Sequence, residues 1–268
     1  MEAILRRLLT IACEDELLGG SLDEAEGATG ILIVTGGSQT RIGSHRLFER
    51  LASGLAAAGH PCLRFDRRGV GDSSGQDPGF RACGPDLGAA VGALHEQLAT
   101  VERVIGVGLC DGATALALHG AGAGLRALIL VNPWLVEAEA NQPPPAAIRQ
   151  HYRQRLTSRE GWKKILTGGI SYRKALKGVA KIAAAPEPSN LASEVAEALR
   201  NDRRPTALIL AKGDATAIAA AAEVQQARYD ELIGTKLEID TDSHTFAKAG
   251  DAAALLAAIL QAIDRLDA

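Results

Sequence analysis

Short apolar runs typical of buried strands alternate with alanine-rich helical patterns along most of this 268-residue chain. The runs predict strands at residues 31–35, 61–66, 101–109, 127–132, 206–211 and 236–239. Apolar residues at three- and four-residue spacing predict helices at residues 44–58, 86–100, 112–120, 217–229 and 252–266. A chain that alternates in this way places its helices on both faces of a mostly parallel sheet. The expected fold class is therefore α/β.

One segment interrupts the alternation. Residues 135–193 contain no strand pattern, and prolines mark both ends, with a Pro-Pro-Pro run at 143–145 and further prolines at 186 and 188. Prolines at such positions separate units of structure, so the segment is predicted to be a helical cap inserted after a strand. The core is then expected to comprise residues 1–134 and 194–268, and the cap residues 135–193.

The inserted segment also concentrates positive charge. Residues 143–181 contain ten Lys and Arg residues but one acidic residue, Glu160, which gives a net charge of +9 within a chain whose total is −3. One interpretation is a solvated helical face. The other is a lid whose positive field attracts an anionic substrate or makes peripheral contact with an anionic membrane surface. Both interpretations stay open at the level of sequence.

Composition excludes several classes of protein. A net charge of −3 argues against a nucleic-acid binder, and a hydrophobic fraction of 47% argues against disorder. No apolar run reaches the roughly 18 residues that a membrane-spanning helix needs. Arg6 and Arg7 precede a short apolar stretch that ends at Glu14, so no secretory signal is expected. Cytoplasm is the expected location, and the oligomeric state is left open.

The cysteines predict neither a metal site nor a disulfide framework. The four residues are widely spaced, form no CxxC pair and have no histidine at metal-ligand spacing, and they are Cys13, Cys62, Cys83 and Cys110. No metal and no other cofactor is therefore expected, and in a reducing compartment disulfides are not expected either. Burial as a small apolar side chain is the default for each thiol.

Position separates one cysteine from the other three. Residues 108–112 read Gly-Leu-Cys-Asp-Gly, directly after a predicted strand and before a predicted helix. This is the strand–turn–helix context of a G-x-S-x-G nucleophile elbow, with cysteine in place of serine. The amino terminus of the following helix favours the thiolate of Cys110, because the aligned peptide dipoles place partial positive charge there. The alternative is a buried cysteine in a tight turn.

A nucleophile at an elbow of this kind requires an acid and then a histidine further along the chain. Asp214 follows the predicted strand at 206–211, and His244 follows the predicted strand at 236–239. Asp240 and Asp242 are rivals for the acid, but Asp214 has the better position at a strand end. In this interpretation His244 moves the proton of the thiol, and Asp214 fixes the imidazole tautomer.

The loop after the first predicted core strand reads Gly-Gly-Ser-Gln at 36–39. Acyl transfer needs backbone N–H donors for the oxyanion, one from the residue after the nucleophile, Asp111, and one from this loop. Ser38 is the first choice for the second donor and Gly37 is the next. Substrate contacts are expected from three further residues, although a structural role remains the alternative for the histidine: Arg41, His45 and Trp134.

A second glycine-rich segment, at residues 65–75, is expected to be structural. It lacks a G-K-S or G-K-T sequence and the G-x-G-x-x-G pattern, so nucleotide binding is not expected. Hydrogen bonds from Asp66, Arg68 and Asp72 are expected to hold this loop in place.

Taken together these motifs resemble an α/β-hydrolase over nearly the whole chain. More narrowly they resemble the type 1 α/β-hydrolases associated with the exosortase A system of Gram-negative bacteria, through six segments: 36–39 (GGSQ), 41–48 (RIGSHRLF), 63–73 (LRFDRRGVGDS), 108–112 (GLCDG), 132–134 (NPW) and 243–246 (SHTF). The resemblance implies a role near exopolysaccharide production and exosortase-sorted proteins. The chain departs from the family's pattern at Ser38, Thr40 and Arg67. Dienelactone hydrolase is similar in its Cys-Asp-His order and offers a precedent for cysteine at the elbow.

Two functions are open at this stage. The first is a hydrolase that cleaves an acyl ester or thioester, coenzyme A-linked or carrier-linked, through Cys110, His244 and Asp214. The second is a catalytically silent protein that keeps the fold and docks an anionic partner through its basic cap.

Overall fold

The computed structural model describes residues 5–137 and 190–267 of the chain. The strands are β1 (Arg6–Cys13), β2 (Glu16–Asp23), β3 (Thr29–Val34), β4 (Cys62–Phe65), β5 (Arg103–Leu109), β6 (Ala127–Val131), β7 (Thr206–Ala211) and β8 (Thr235–Ile239). The helices are α1 (Leu47–Ala57), α2 (Gly84–Gln97), α3 (Asp111–His119), α4 (Asn190–Asp202), α5 (Ala215–Val224) and α6 (Asp251–Asp267).

The eight strands of the described residues form one sheet in the order β1-β2-β4-β3-β5-β6-β7-β8. All pairs from β4 to β8 in this order are parallel, whereas β1–β2 and β2–β4 are antiparallel. Every residue of β3, β6 and β7 is buried, as is usual for strands covered by helices on both faces. The predicted α/β class with a mostly parallel sheet is confirmed.

The order of the strands creates a crevice at one edge of the sheet. The crossover through α1 runs from β3 outward to β4, and the crossover through α2 runs back past β3 to β5. Right-handed crossovers in opposite directions put α1 and α2 on opposite faces. A crevice forms beyond the carboxyl ends of the strands where the direction reverses, which here lies between β3 and β5.

Local backbone geometry interrupts two of the predicted helices. The predicted helix 44–58 is broken, since Ser44–Arg46 forms a 3-10 turn in which His45 has φ 53° and Arg46 has φ 60°. The regular helix α1 therefore begins at Leu47. The predicted helix 217–229 ends at Val224 and is followed by a separate 3-10 turn, Ala227–Tyr229.

Strands β1 and β2 were not predicted. They form a hairpin around a two-residue turn, in which Glu14 adopts φ 53°. The hairpin joins the sheet through β4, with Gly20 opposite Phe65 and Asp23 opposite Cys62. In its outer strand Ile11 and Cys13 are buried and Leu8, Thr10 and Ala12 are exposed, but Leu8 and Ala12 are apolar, so the sequence shows no polar–apolar alternation there.

The predicted cap falls largely outside the described residues. Of residues 135–193, the structure describes 135–137 and 190–193, and all ten basic residues of 143–181 lie outside them. Helix α4 begins at Asn190 and so runs across the predicted boundary between cap and core, and its buried face packs against α3. In the part of the chain that the structure describes, no helix is long and apolar enough to cross a membrane.

Candidate active site

A single residue separates β5 from α3. Cys110 lies between Leu109 and Asp111 and adopts φ 59° and ψ −124°, a conformation that costs a non-glycine residue about 1–3 kcal/mol. Both flanking glycines are sterically required. A Cβ atom at Gly108 would lie 2.6 Å from the backbone nitrogen of Ala113, and one at Gly112 would lie 2.6 Å from the carbonyl oxygen of Thr35. The backbone therefore turns sharply at Cys110, at the mouth of the crevice.

Backbone hydrogen bonds anchor this turn to the next strand. The N–H group of Cys110 donates to the carbonyl oxygen of Val131 over 3.0 Å, and the carbonyl oxygen of Cys110 accepts from Trp134 N–H over 3.1 Å. The Thr114 hydroxyl donates to the carbonyl oxygen of Trp134 over 2.7 Å. Trp134 thus lies against the elbow, partly buried on the core.

The thiol of Cys110 differs from the other three in exposure. Cys110 is partly exposed, whereas Cys13, Cys62 and Cys83 are buried, as predicted. Burial raises the pKa of the Cys13 and Cys83 thiols to about 11, and it raises the pKa of Cys62 further. Because the thiolate is the nucleophilic form, these three side chains are inert at neutral pH.

His244 bridges Asp214 and Cys110. Its Nδ1 atom is 2.9 Å from Oδ2 of Asp214, and its ring is near enough to the Cys110 side chain for that side chain to raise the pKa of the imidazole. With Nδ1 occupied, Nε2 is the ring atom left to face the thiol. The hydrogen bond to Asp214, followed by the interaction with the Cys110 side chain, raises the pKa of His244 to about 10. The arrangement therefore favours a protonated imidazole.

Asp214 is held by the start of α5. It is buried at the helix N-cap, where Oδ2 also accepts from the backbone N–H of Ala217 over 3.0 Å. The rivals for the acid do not reach His244 in this way. Asp242 forms an ion pair with Lys248 at 2.5 Å on the surface, and Asp240 is exposed. Of the three candidates, the structure brings Asp214 to the histidine.

The loop that carries His244 is fixed through Thr241. Its hydroxyl donates to Oδ2 of Asp251 over 2.6 Å and accepts from the backbone N–H of Ser243 over 3.1 Å. Its carbonyl oxygen accepts from Gly213 N–H over 2.9 Å, which ties the histidine loop to the loop of Asp214. Neither Thr241 nor Asp251 was singled out in the sequence, since neither belongs to a recognisable motif.

The loop after β3 packs directly on the elbow. A Cβ atom at Gly36 would lie 2.4 Å from the carbonyl oxygen of Leu109 and 2.9 Å from Cβ of Cys110. The N–H of Gly37 donates to Oδ1 of Asp111 over 2.5 Å. The N–H groups of Ser38 and Asp111 have no acceptor among the described residues. Within the described residues these two donors are therefore unengaged, whereas that of Gly37 is engaged.

The residues predicted to contact substrate have different surroundings. The Arg41 guanidinium donates to Oγ of Ser21 over 3.0 Å, to Oδ2 of Asp72 over 2.7 Å and to Asp66. These bonds turn it towards β2 and the 65–75 loop. His45 is exposed in the 3-10 turn before α1.

The 65–75 loop has the structural role that was predicted. Asp66 accepts from the backbone N–H groups of Arg41 and Asp72, at 2.5 and 3.1 Å. The guanidinium of Arg68 donates to Oδ1 of Asp86 over 2.6 Å and also binds Glu14. These bonds hold the loop against α2 and the β1–β2 hairpin.

Asn132 is a further residue of this edge that lacks an assigned role in the sequence. It is fully buried at φ 44° directly after β6, and its Oδ1 accepts from the backbone N–H of Ala211 over 2.8 Å. The bond ties the end of β6 to the end of β7, which precedes the Asp214 loop. Asparagine tolerates a left-handed backbone, so the Asn-Pro pair at 132–133 was the available signal.

The described residues contain no group of three or more His, Cys, Asp and Glu side chains that could hold a metal ion. The chemistry available at this edge is instead that of a thiol, an imidazole, a carboxylate and free backbone N–H donors. Those groups suit nucleophilic attack on a carbonyl carbon.

A family model described as "Alpha/beta hydrolase family" matches residues 31–260. The comparison with curated proteins gives no significant match. Among solved structures, esterase PF2001 of Pyrococcus furiosus is similar with a TM-score of 0.66 at 16% identity, covering 99% of this chain and 92% of that one.

Two further structures share the fold at the same level of identity. Est1E from Butyrivibrio proteoclasticus, solved with bound ferulic acid, has a TM-score of 0.60 at 16% identity and covers 96% of this chain and 99% of that one. The thioesterase domain from the curacin biosynthetic pathway also has a TM-score of 0.60 at 16% identity, covering 97% and 100%. At such identities the similarity is one of fold.

Proposed function

Because the chain belongs to the alpha/beta hydrolase family, we propose that it hydrolyses an ester or thioester with Cys110 as the nucleophile. The observation that carries this proposal is the hydrogen bond by which Asp214 holds His244, with the strained Cys110 turn near enough for the cysteine side chain to raise the pKa of that histidine. Esterases and a thioesterase domain share the fold, which supports the same class of reaction.

In the first half of the reaction, the Cys110 sulfur attacks the acyl carbon and forms a tetrahedral intermediate. The oxyanion accepts hydrogen bonds from the N–H groups of Ser38 and Asp111, each worth about 3 kcal/mol in the transition state. His244, protonated by the thiol, gives its proton to the departing oxygen or sulfur. The acyl group is then joined to Cys110 as a thioester.

In the second half, His244 is neutral and removes a proton from water at Nε2. The resulting hydroxide attacks the acyl carbon, and the oxyanion occupies the same two donors. The intermediate collapses to the free acid, and the sulfur of Cys110 recovers its proton from His244. Asp214 holds Nδ1 throughout, which keeps Nε2 directed at the reacting atoms and stabilises the imidazolium.

The choice of cysteine as nucleophile indicates which leaving groups suit the site. A thiolate leaving group matches the attacking thiolate, and an ester oxygen leaves once His244 has given it a proton, whereas an amine needs stronger protonation before it can leave. A cysteine therefore suits esters and thioesters better than amides. We place coenzyme A thioesters and carrier-bound thioesters among the substrates to test. The resemblance to the exosortase A-associated hydrolases supports a role beside exopolysaccharide production.

The test is the turnover of p-nitrophenyl butyrate and butyryl-coenzyme A by the purified protein and by Cys110→Ala. We expect the variant to lose at least about 10³-fold in kcat/KM for whichever substrate the wild type cleaves. Cys13→Ala, at a buried cysteine on β1, is the matched control and is expected to keep its activity. A Cys110→Ala protein with wild-type turnover would refute the mechanism, and an intact protein that turns over neither substrate would favour the silent binding protein.

A further inference from the structure

Arg67 is a buried cation next to the loop after β3. Its side chain is 2% exposed, and its Nη2 atom donates to the carbonyl oxygen of Gly37 over 2.5 Å. Its ion pair with Asp77 is long, at 4.0 Å. Among the described residues, Nε and Nη1 of Arg67 have no hydrogen-bond partner. A guanidinium buried with so few partners is costly, so a contribution to folding stability does not explain this residue.

The N–H group of Gly37 is held by a different side chain from its carbonyl group. Its N–H donates to Oδ1 of Asp111, the residue after the nucleophile. Gly37 has φ 59°, and a Cβ atom there would meet nothing within 4 Å, so its own packing does not fix its conformation. Arg67 on one side and Asp111 on the other fix it instead.

The geometry of the peptide bond transmits this restraint to Ser38. The carbonyl of Gly37 and the N–H of Ser38 belong to one peptide unit, and the described residues contain no cis peptide bond. In a trans peptide these two groups point in opposite directions. Because the carbonyl points at the buried Arg67, the N–H of Ser38 points away from the interior. That N–H is free, whereas the N–H of Gly37 is engaged.

We propose that Arg67 is a positioning residue, which acts with the Asp111 carboxylate to hold the Gly37–Ser38 peptide with its N–H facing the oxyanion. The proposal rests on the proposed function. Without Arg67 the peptide is free to rotate, and a carbonyl oxygen in place of the N–H would repel the developing negative charge. Arg67, which is buried with few hydrogen bonds, then contributes to catalysis rather than to folding stability.

The test compares Arg67→Met with Arg67→Lys, and with Arg81→Met as the matched control at an arginine that is 44% exposed. Using p-nitrophenyl butyrate, we expect Arg67→Met to lose about 10- to 100-fold in kcat, with KM within twofold, because the oxyanion donor acts in the transition state. Its melting temperature is expected to be unchanged or higher, since a costly buried charge is removed. Arg67→Lys, which keeps a donor for the carbonyl, is expected to recover part of kcat, and Arg81→Met to match the wild type.

A second measurement does not depend on turnover. Amide hydrogen exchange followed by NMR is expected to show at least tenfold faster exchange of the Gly37 N–H in Arg67→Met, because Gly37 is then held by Asp111 alone and this N–H separates from the carboxylate more often. Unchanged protection of this amide overturns the proposal, whatever the activity. Lost protection with wild-type kcat overturns it as well.

The two proposals fail separately. An active Cys110→Ala protein removes the proposed function, and the exchange of the Gly37 amide still decides whether Arg67 holds the loop. An inactive Cys110→Ala protein together with a fully active Arg67→Met protein leaves the hydrolase intact and removes the role of Arg67.

Discussion

At the residue scale, the surroundings of Cys110 set it apart from three chemically identical side chains. Burial keeps the other thiols protonated, whereas Cys110 is partly exposed and near enough to His244 to raise the pKa of the imidazole. We therefore expect iodoacetamide at pH 7 to modify Cys110 first, as measured by peptide mass spectrometry. In His244→Ala the rate of modification is expected to fall at least about tenfold, because the imidazolium that stabilises the thiolate is lost. Equal labelling of all four cysteines would contradict this account.

The acid is tested at the same scale by Asp214→Asn. Asparagine keeps an oxygen for the helix cap but no longer holds His244 in the required tautomer. We expect kcat to fall by about 10³- to 10⁴-fold, with little change in melting temperature. Asp242→Asn, at the exposed rival, is the control and is expected to stay near wild-type activity. The reverse result would assign the acid to Asp242.

At the scale of elements, the site depends on the close approach of the loop after β3 to the turn between β5 and α3. Gly36→Ala would place a methyl group 2.4 Å from the carbonyl oxygen of Leu109, so the two segments must separate. We expect a loss of activity and of about 1–3 kcal/mol in the free energy of unfolding, measured by urea denaturation.

Gly88→Ala is the matched control for that substitution. Gly88 lies within α2, and a Cβ atom there would meet nothing within 4 Å. Alanine in place of glycine inside a helix is stabilising by about 0.5–1 kcal/mol. A Gly36→Ala protein as stable and active as the Gly88→Ala protein would contradict the proposed packing of the loop on the elbow.

At the scale of the whole molecule, the fold brings Asp214, after β7, to His244, after β8. This contact makes the stability of the protein depend on pH. The pKa of His244 is raised to about 10 in the folded protein from an ordinary value of 6.5. Folding therefore strengthens proton binding, and the stabilisation is complete below pH 6.5 and is lost as the pH rises through about 10.

The measurement is the free energy of unfolding of the wild type and of His244→Gln between pH 6 and pH 10.5. The excess stability of the wild type over the variant is expected to be largest at pH 6 and to shrink steadily towards pH 10.5. A difference that does not change with pH would mean that the histidine has no raised pKa.

The core elements were predictable because their signals are local. Burial on both faces requires continuous apolar runs such as those of β3 and β7, and amphipathic helices require apolar residues at helical spacing. The placement of the candidate nucleophile, acid and base after strand ends was also predictable, since parallel strands end at one edge of the sheet. The hairpin of β1 and β2 was not, because its place in the sheet depends on pairing with β4.

The sequence by itself determined the class of fold and the strand-end positions of Cys110, Asp214 and His244, because periodicity and order along the chain encode both. Only the tertiary structure decided which carboxylate meets His244, and which of the two backbone N–H groups of Gly37 and Ser38 is engaged. The bonds that decide the second question join Gly37 to residues 30 and 74 positions away. Contacts at such separations depend on how strands and loops pack, so no local pattern in the chain records them.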